Sequence, residues 1–413
     1  MDSKSLLLLC LLTACSDAHA GSGSTAAPSS VVVPSISDAP LAAYRGELLD
    51  LAFKAASAFP IKPHLKNRSR TQETVVEASL ALDQPHRALA YGEKIDNWLR
   101  GVAYAEFAFY CARHGSVNDV EPWLERARKV SASVADDENT QDWQQDRIRS
   151  TIAKTYACLG QRERAAELEA GVVDSESGKV NAVKAMQSDA DGFEEQLRAL
   201  DEAVSIGNFD RVKGALQACS LLFDHFYSDV ERRSRVEEKI KGSWNKMPLP
   251  IRVELTMTLA GFALGHEDRE KALALVNEGR ALVDGAKWNP EDVIPLAARL
   301  AGLRWRAGDT DTARKEADSA LALFESERAK IVDIFRAAVL RPLAEAYRSM
   351  GDAPAALAVY KRAVEAGVEN PNSRPRAEDL SATCCSMALH EVEPDAALKT
   401  RMTEICNGLG PPW

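Results

Sequence analysis

Aromatic residues are scarce, at 6% of 413, too few to line a sugar-stacking cleft or to fill a large sheet core. No segment alternates β-branched and polar residues for long enough to be read as a strand. After the first twenty residues, no apolar run comes near the roughly 20 residues that a membrane-spanning helix needs. Basic residues are outnumbered, 51 against 61 acids, for a net charge of −10. Neutralising phosphates takes clustered Lys and Arg, so nucleic acid is not an expected partner. The eight cysteines contain no C-x-x-C pair, which removes thioredoxin-like and zinc-ribbon chemistry. Catalytic signatures are missing as well. There is no G-x-S-x-G and no G-x-x-x-x-G-K-S/T, and His266-Glu267 and His390-Glu391 each lack the second histidine of H-E-x-x-H. No catalytic residue, cofactor or metal is therefore expected.

Alanine is what abounds, with 65 residues or about one in six, and it has the best helix propensity. The chain opens MDSKSLLLLCLLTACSDAHA: Lys4, an apolar run from Leu6 to Leu12, then small residues, the layout of an export signal. Leu12-Thr13-Ala14-Cys15 resembles the lipobox of bacterial lipoproteins. The resemblance implies cleavage before Cys15 and acylation of its thiol. With Ser16 following rather than an acid, it also implies a cell-envelope location, facing the outer membrane or periplasm. Ala18-His19-Ala20 offers a second reading, ordinary cleavage before Gly21 and plain secretion. Residues 21–40, GSGSTAAPSSVVVPSISDAP, bury too little apolar surface to order themselves and are expected to form a flexible tether. Its root-mean-square reach is about 25 Å.

From Leu41 onward, small and large residues recur in the order that two packed helices need. The clearest unit is Leu343-Ala344, Tyr347, Gly351-Asp352, Ala356, Tyr360 and Ala363: a helix, a tight turn and a second helix, with alanines at the contact. The frame returns around Gly308-Asp309, Gly265 to Asp268, Gly115, Gly160 and Gly207-Asn208. It is weaker at Val76 with Ala88 and at Cys385 with Ala397. This order resembles the tetratricopeptide repeat. The small positions of the second helices are 88, 120, 165, 212, 272, 313, 356 and 397. Their spacing is wider and less even than the roughly 34 residues of a regular array. The expectation is an all-α fold, a superhelical α-solenoid of about eight irregular antiparallel helix pairs. Val230, Val236 and Ile240 predict an extra helix, ended by Gly242, Pro248 and Pro250. Another short one is expected in 171–191. The domain reading is a signal at 1–20, the tether at 21–40, an N-terminal sub-array at 41–241 and a C-terminal one at 242–413. Trp413, after Gly408 and Pro411-Pro412, reads either as a cap on the last helices or as a loose terminus.

In tetratricopeptide arrays the first helix of each unit lines a groove for peptides. Carried over, that frame puts Arg113, Arg147, Lys154, Trp305, Arg306, Arg341, Glu345 and Arg348 on the groove side. Several are basic in an acidic protein, which suits an acidic or C-terminal carboxylate segment. The default reading of the same residues is an ordinary polar helix surface. His114 and His266 read as solvated turn residues. Cys384, Cys385 and Cys406 flank the last turn, and a disulfide from Cys385 to Cys406 is compatible with an oxidising compartment, as are buried thiols. The seven tryptophans are scattered along the sequence. The functional expectation is an exported, membrane-tethered scaffold that binds a protein or peptide. The alternatives are a carbohydrate-active enzyme of the α/α-toroid type, which needs two placed carboxylates, or a receptor for a peptide or small molecule.

Overall fold

Among the described residues, nine interhelical turns each pivot on one residue with a left-handed backbone. The computed structural model describes residues 35–135 and 141–413. Gly115, Gly160, Gly171, Gly207, Gly308 and Gly351 take that position in six turns, with φ between 72° and 100°. Glycine has no Cβ to collide with the carbonyl there. Asp83, Glu267 and Glu391 take it in the other three, with φ of 54°, 60° and 56°. Directly after the pivot, an acidic or amide side chain often caps the next helix. Asp268 accepts from the Lys271 N–H at 2.9 Å, Asp352 from Ala355 at 3.0 Å and Asn208 from Arg211 at 3.2 Å.

The described residues form nineteen α-helices and no strand. After α1 (Ala43–Ser57) come three pairs: α2 (Ile61–Ala81) with α3 (Pro85–Gly92), α4 (Leu99–Arg113) with α5 (Val120–Ala135), and α6 (Asp142–Cys158) with α7 (Arg162–Glu169). A lone α8 (Asp174–Met186) occupies the stretch where a short extra helix is expected. Then α9 (Ala190–Ile206) pairs with α10 (Phe209–His225), and α11 (Val230–Gly242) is the second expected extra helix. Four pairs finish the array: α12 (Leu249–Gly265) with α13 (Arg269–Asp284), α14 (Pro290–Arg306) with α15 (Thr310–Glu327), α16 (Asp333–Ser349) with α17 (Ala353–Ala366), and α18 (Ser373–Leu389) with α19 (Ala396–Asn407). The fold is thus an all-α array of packed helix pairs.

Alanines and glycines set the closeness of the pairs. Ala344, Ala356 and Ala363 are fully buried, with Tyr347 and Tyr360 filling the space around them. A Cβ on Gly279 of α13 would come within 3.0 Å of Leu300 on α14. The last pair departs from the expected frame. Ala397 is exposed and Leu398 is buried in its place. Asp395 caps α19 at the Leu398 N–H, 2.9 Å away, and so sets the phase of the helix one residue later.

The chain divides into two compact units. One takes Pro60–Val183 together with residues 35–42; the other takes Ala43–Phe59 and Lys184–Trp413. Residues 242–250 lie inside the second unit. In the first unit, the end of the expected tether is bound rather than loose, because polar groups at two turns satisfy its backbone. The Ser35 N–H donates to Asp119 at 2.8 Å, the Ala39 N–H to the Asp83 carbonyl at 2.8 Å, and Gln84 Nε2 to the Ala39 carbonyl at 2.7 Å.

In the second unit, α1 packs along α18 and touches α19. Leu48, Leu49, Ala52, Phe53 and Ala56 of α1 are buried. Arg45 Nε donates to the Ala388 carbonyl at 2.8 Å and Lys54 Nζ to Asn407 at 2.7 Å. The C-terminus folds back here as a cap. The Ser373 N–H donates to the Pro412 carbonyl at 2.8 Å, and the Trp413 ring lies 5.4 Å from that of Phe59.

Candidate interaction faces

The first helices of the first unit carry a row of charges that are matched internally. Arg147 on α6 donates to Glu73 on α2 at 2.6 Å, with its guanidinium 5.8 Å from the Trp98 ring. Lys154 on α6 is buried and donates to both oxygens of Glu106 on α4, at 3.0 and 2.8 Å. Its ammonium also sits 3.9 Å from the Phe109 ring. Burial is the largest single influence on Glu106 and works to raise its pKa, but Lys154, Lys179 and Arg147 together outweigh it and hold the carboxyl below its ordinary value. Lys179 on α8 goes the other way: burial lowers its pKa, and Glu176 at 3.2 Å only partly offsets that. Arg113, at the end of α4, has its guanidinium 5.9 Å from Phe109 and its Nε buried without a hydrogen-bond partner.

The second unit uses most of its first-helix arginines in the same way. Arg341 on α16 pairs with Asp379 on α18 at 3.0 Å. Burial pushes the Asp379 pKa up, and the Arg341 charge reduces that rise without cancelling it. Glu345 accepts from Ser386 Oγ at 2.6 Å, and Ser386 Oγ also lies 2.6 Å from the Tyr360 hydroxyl. Arg348 donates to the His390 carbonyl at 3.1 Å and shares Glu391 with Arg45 of α1, each at 3.3 Å. Only Trp305 and Arg306 differ. Trp305 is half-buried, whereas Arg306 is exposed and, among the described residues, makes no hydrogen bond or ion pair.

Arg299, one residue beyond the predicted set, belongs to the same face. It lies on α14 between Glu254 of α12 and Glu345 of α16. Its nearest carboxylate oxygen, on Glu254, is 3.9 Å away, too far for a hydrogen bond. Its Nη2 is buried with no partner. The spacing to Arg306, seven residues and so nearly the same face, was the available signal.

The histidines expected in solvated turns are exposed there, and each also stacks on a tyrosine. His114 stacks on Tyr110 with centroids 3.9 Å apart, and His266 on Tyr227 at 4.2 Å while contacting Asp224 at 2.8 Å. The Tyr110 hydroxyl donates to Asp83 and that of Tyr227 to Asp268, each a residue of a neighbouring turn. Two tryptophans distant in sequence also meet: Trp98 and Trp143 are 5.2 Å apart, edge to face. Cys384, Cys385 and Cys406 are buried thiols, and no disulfide joins them. Burial raises the Cys384 thiol well above its ordinary pKa. Among the described residues, no three His, Cys, Asp or Glu side chains converge on a metal position, and no helix is long and apolar enough to cross a membrane. Cys15 lies outside the described residues. No protein family matches the chain, and no curated protein matches it in sequence.

Proposed function

We propose that the protein is an exported scaffold of the bacterial envelope, tethered by a lipid on Cys15, whose second unit binds a protein or peptide along its first helices. The observation that carries the reading is α14. Its Arg306 stands exposed and unengaged beside the half-buried Trp305 on a face where Arg341 and Arg348 are occupied. The tetratricopeptide-like order of small and large residues supports a peptide groove, and Leu12-Thr13-Ala14-Cys15 supports the anchor. Envelope fractionation and crosslinking test both parts. Cys15→Ala is expected to leave the membrane fraction. A photocrosslinker placed at Arg306 is expected to capture a discrete partner that one placed at Lys315, exposed on the second helix α15, does not. Equal capture from both positions, or none, would sink the scaffold reading.

A second reading, a small-molecule receptor, draws on one contact. Trp98 and Trp143 meet beside the Arg147–Glu73 pair in the first unit. Tryptophan fluorescence titrated with neutral oligosaccharides would change in wild type but not in Trp143→Leu if that reading holds.

A further inference from the structure

We infer that α14 reads its partner at two points: Arg306 takes a carboxylate side chain of an extended peptide, and Arg299 takes a main-chain carbonyl of the same peptide. This rests on the scaffold reading and names the chemistry of the segment bound.

Few cations on this face remain available to a ligand. On this face Arg341 is spent on Asp379 and Arg348 on Glu391. Arg299 and Arg306 donate no hydrogen bond among the described residues. They differ in their surroundings, and that difference assigns the ligand groups. Arg306 is exposed with no acid in ion-pair range, so a carboxylate there meets a single uncompensated positive charge. Arg299 is flanked by the Glu254 and Glu345 carboxylates, and burial lowers its pKa despite them. An anion brought to Arg299 would meet two like charges. A neutral carbonyl would not, and it would give a hydrogen bond to a guanidinium that lacks one. The side chain keeps 23% exposure, so part of it can be reached from the face.

Spacing fits the same ligand. Seven residues of helix rise about 10 Å. An extended peptide covers that distance in about three residues. Leu303, one helical turn from each arginine, is half-buried and gives the segment between them an apolar contact. The expected ligand is an extended stretch with an acidic side chain three residues from the carbonyl that meets Arg299, and small or apolar residues between.

The full-length protein, fluorescently labelled, is tested on three bead-bound random octapeptide libraries. One has a fixed glutamate and an amidated C-terminus. The second has glutamine in its place, also amidated. The third has glutamine and a free C-terminal carboxylate. Wild type is expected to retain the glutamate library about tenfold better than either other library. Arg306→Gln should erase that advantage. Arg299→Gln should weaken the glutamate and glutamine libraries by the same factor, and Arg299→Lys, which keeps the charge but loses the fork, should weaken both as well. Thermal midpoints confirm that each variant is folded, and Arg299→Lys carries the test if Arg299→Gln is not. Equal retention of all three libraries, retention of none, or an advantage that survives Arg306→Gln overturns the proposal. So does preference for the free C-terminus, which would make the terminal carboxylate the ligand. If a crosslinked envelope partner is captured equally by wild type and both variants, the two-point reading fails while the scaffold reading stands.

Discussion

Arg341 and Arg306 have the same side chain on neighbouring first helices, and their surroundings give them opposite roles. Arg341 offsets a buried carboxylate, with side-chain exposures of 17% for it and 11% for Asp379. Removing one partner strands the other charge in a low-dielectric setting. Arg341→Ala is therefore expected to cost about 3 kcal/mol or more of unfolding free energy. Arg306→Ala should stay within about 0.5 kcal/mol, as exposed changes usually do. Urea unfolding of the two variants checks this, and equal losses would contradict the division of roles. Pattern alone could not separate them. Both arginines fit the groove frame, and what divides them is Asp379, 38 positions from Arg341. The same holds for His266, whose turn position was legible while its stack on Tyr227 was not.

Among the elements, α1 is the one whose place the sequence did not foretell. It reads as the first helix of an N-terminal array, yet it belongs to the second unit and covers α18. Its buried leucines and alanines give it an apolar surface, but any exposed apolar helix face would accept such a surface. What commits α1 to α18 is a set of pairings over more than 340 residues of chain, Arg45 to the Ala388 carbonyl and to Glu391, and Lys54 to Asn407. Leu49 is fully buried in this helix. Leu49→Ala is expected to destabilise the second unit by about 2–5 kcal/mol. Lys361→Gln, which removes only an exposed pair with Asp395 in the same unit, should cost less than about 1 kcal/mol. A Leu49→Ala loss no larger than that of Lys361→Gln, by calorimetry or denaturant, would mean that α1 is not a structural part of the unit. By contrast, the pairs themselves were legible because a small residue, a turn glycine and a capping Asp fall in one local order.

For the whole molecule, charge pairs in both units make stability depend on pH with a definite sign. Glu106 in the first unit and Glu237 in the second are both held below their ordinary pKa: burial opposes this in each, but Lys154, Lys179 and Arg147 together outweigh it for Glu106, and Lys241 with Lys271 for Glu237. A carboxyl lowered in the folded state contributes stability above its unfolded pKa, and that contribution is lost as pH falls through the folded value. The thermal midpoint is expected to drop as pH falls below about 4.5. Glu106→Gln should lower it at neutral pH and flatten the acid limb. An acid limb of unchanged steepness in that variant would remove Glu106 from the cause.

The sequence by itself determined the helices, their turns and the pairing of neighbours. Those depend on interactions within a few tens of residues: alanines at a helix contact, a left-handed glycine, an Asp that caps the next helix. It also placed Arg306 on a first-helix face, but it did not single out Arg299 beside it. Tertiary structure decided which of the predicted groove residues remain available, where α1 packs, and that Trp98 meets Trp143. Each of those depends on side chains brought together from distant helices, and a helical period fixes which face a residue takes without fixing what that face meets.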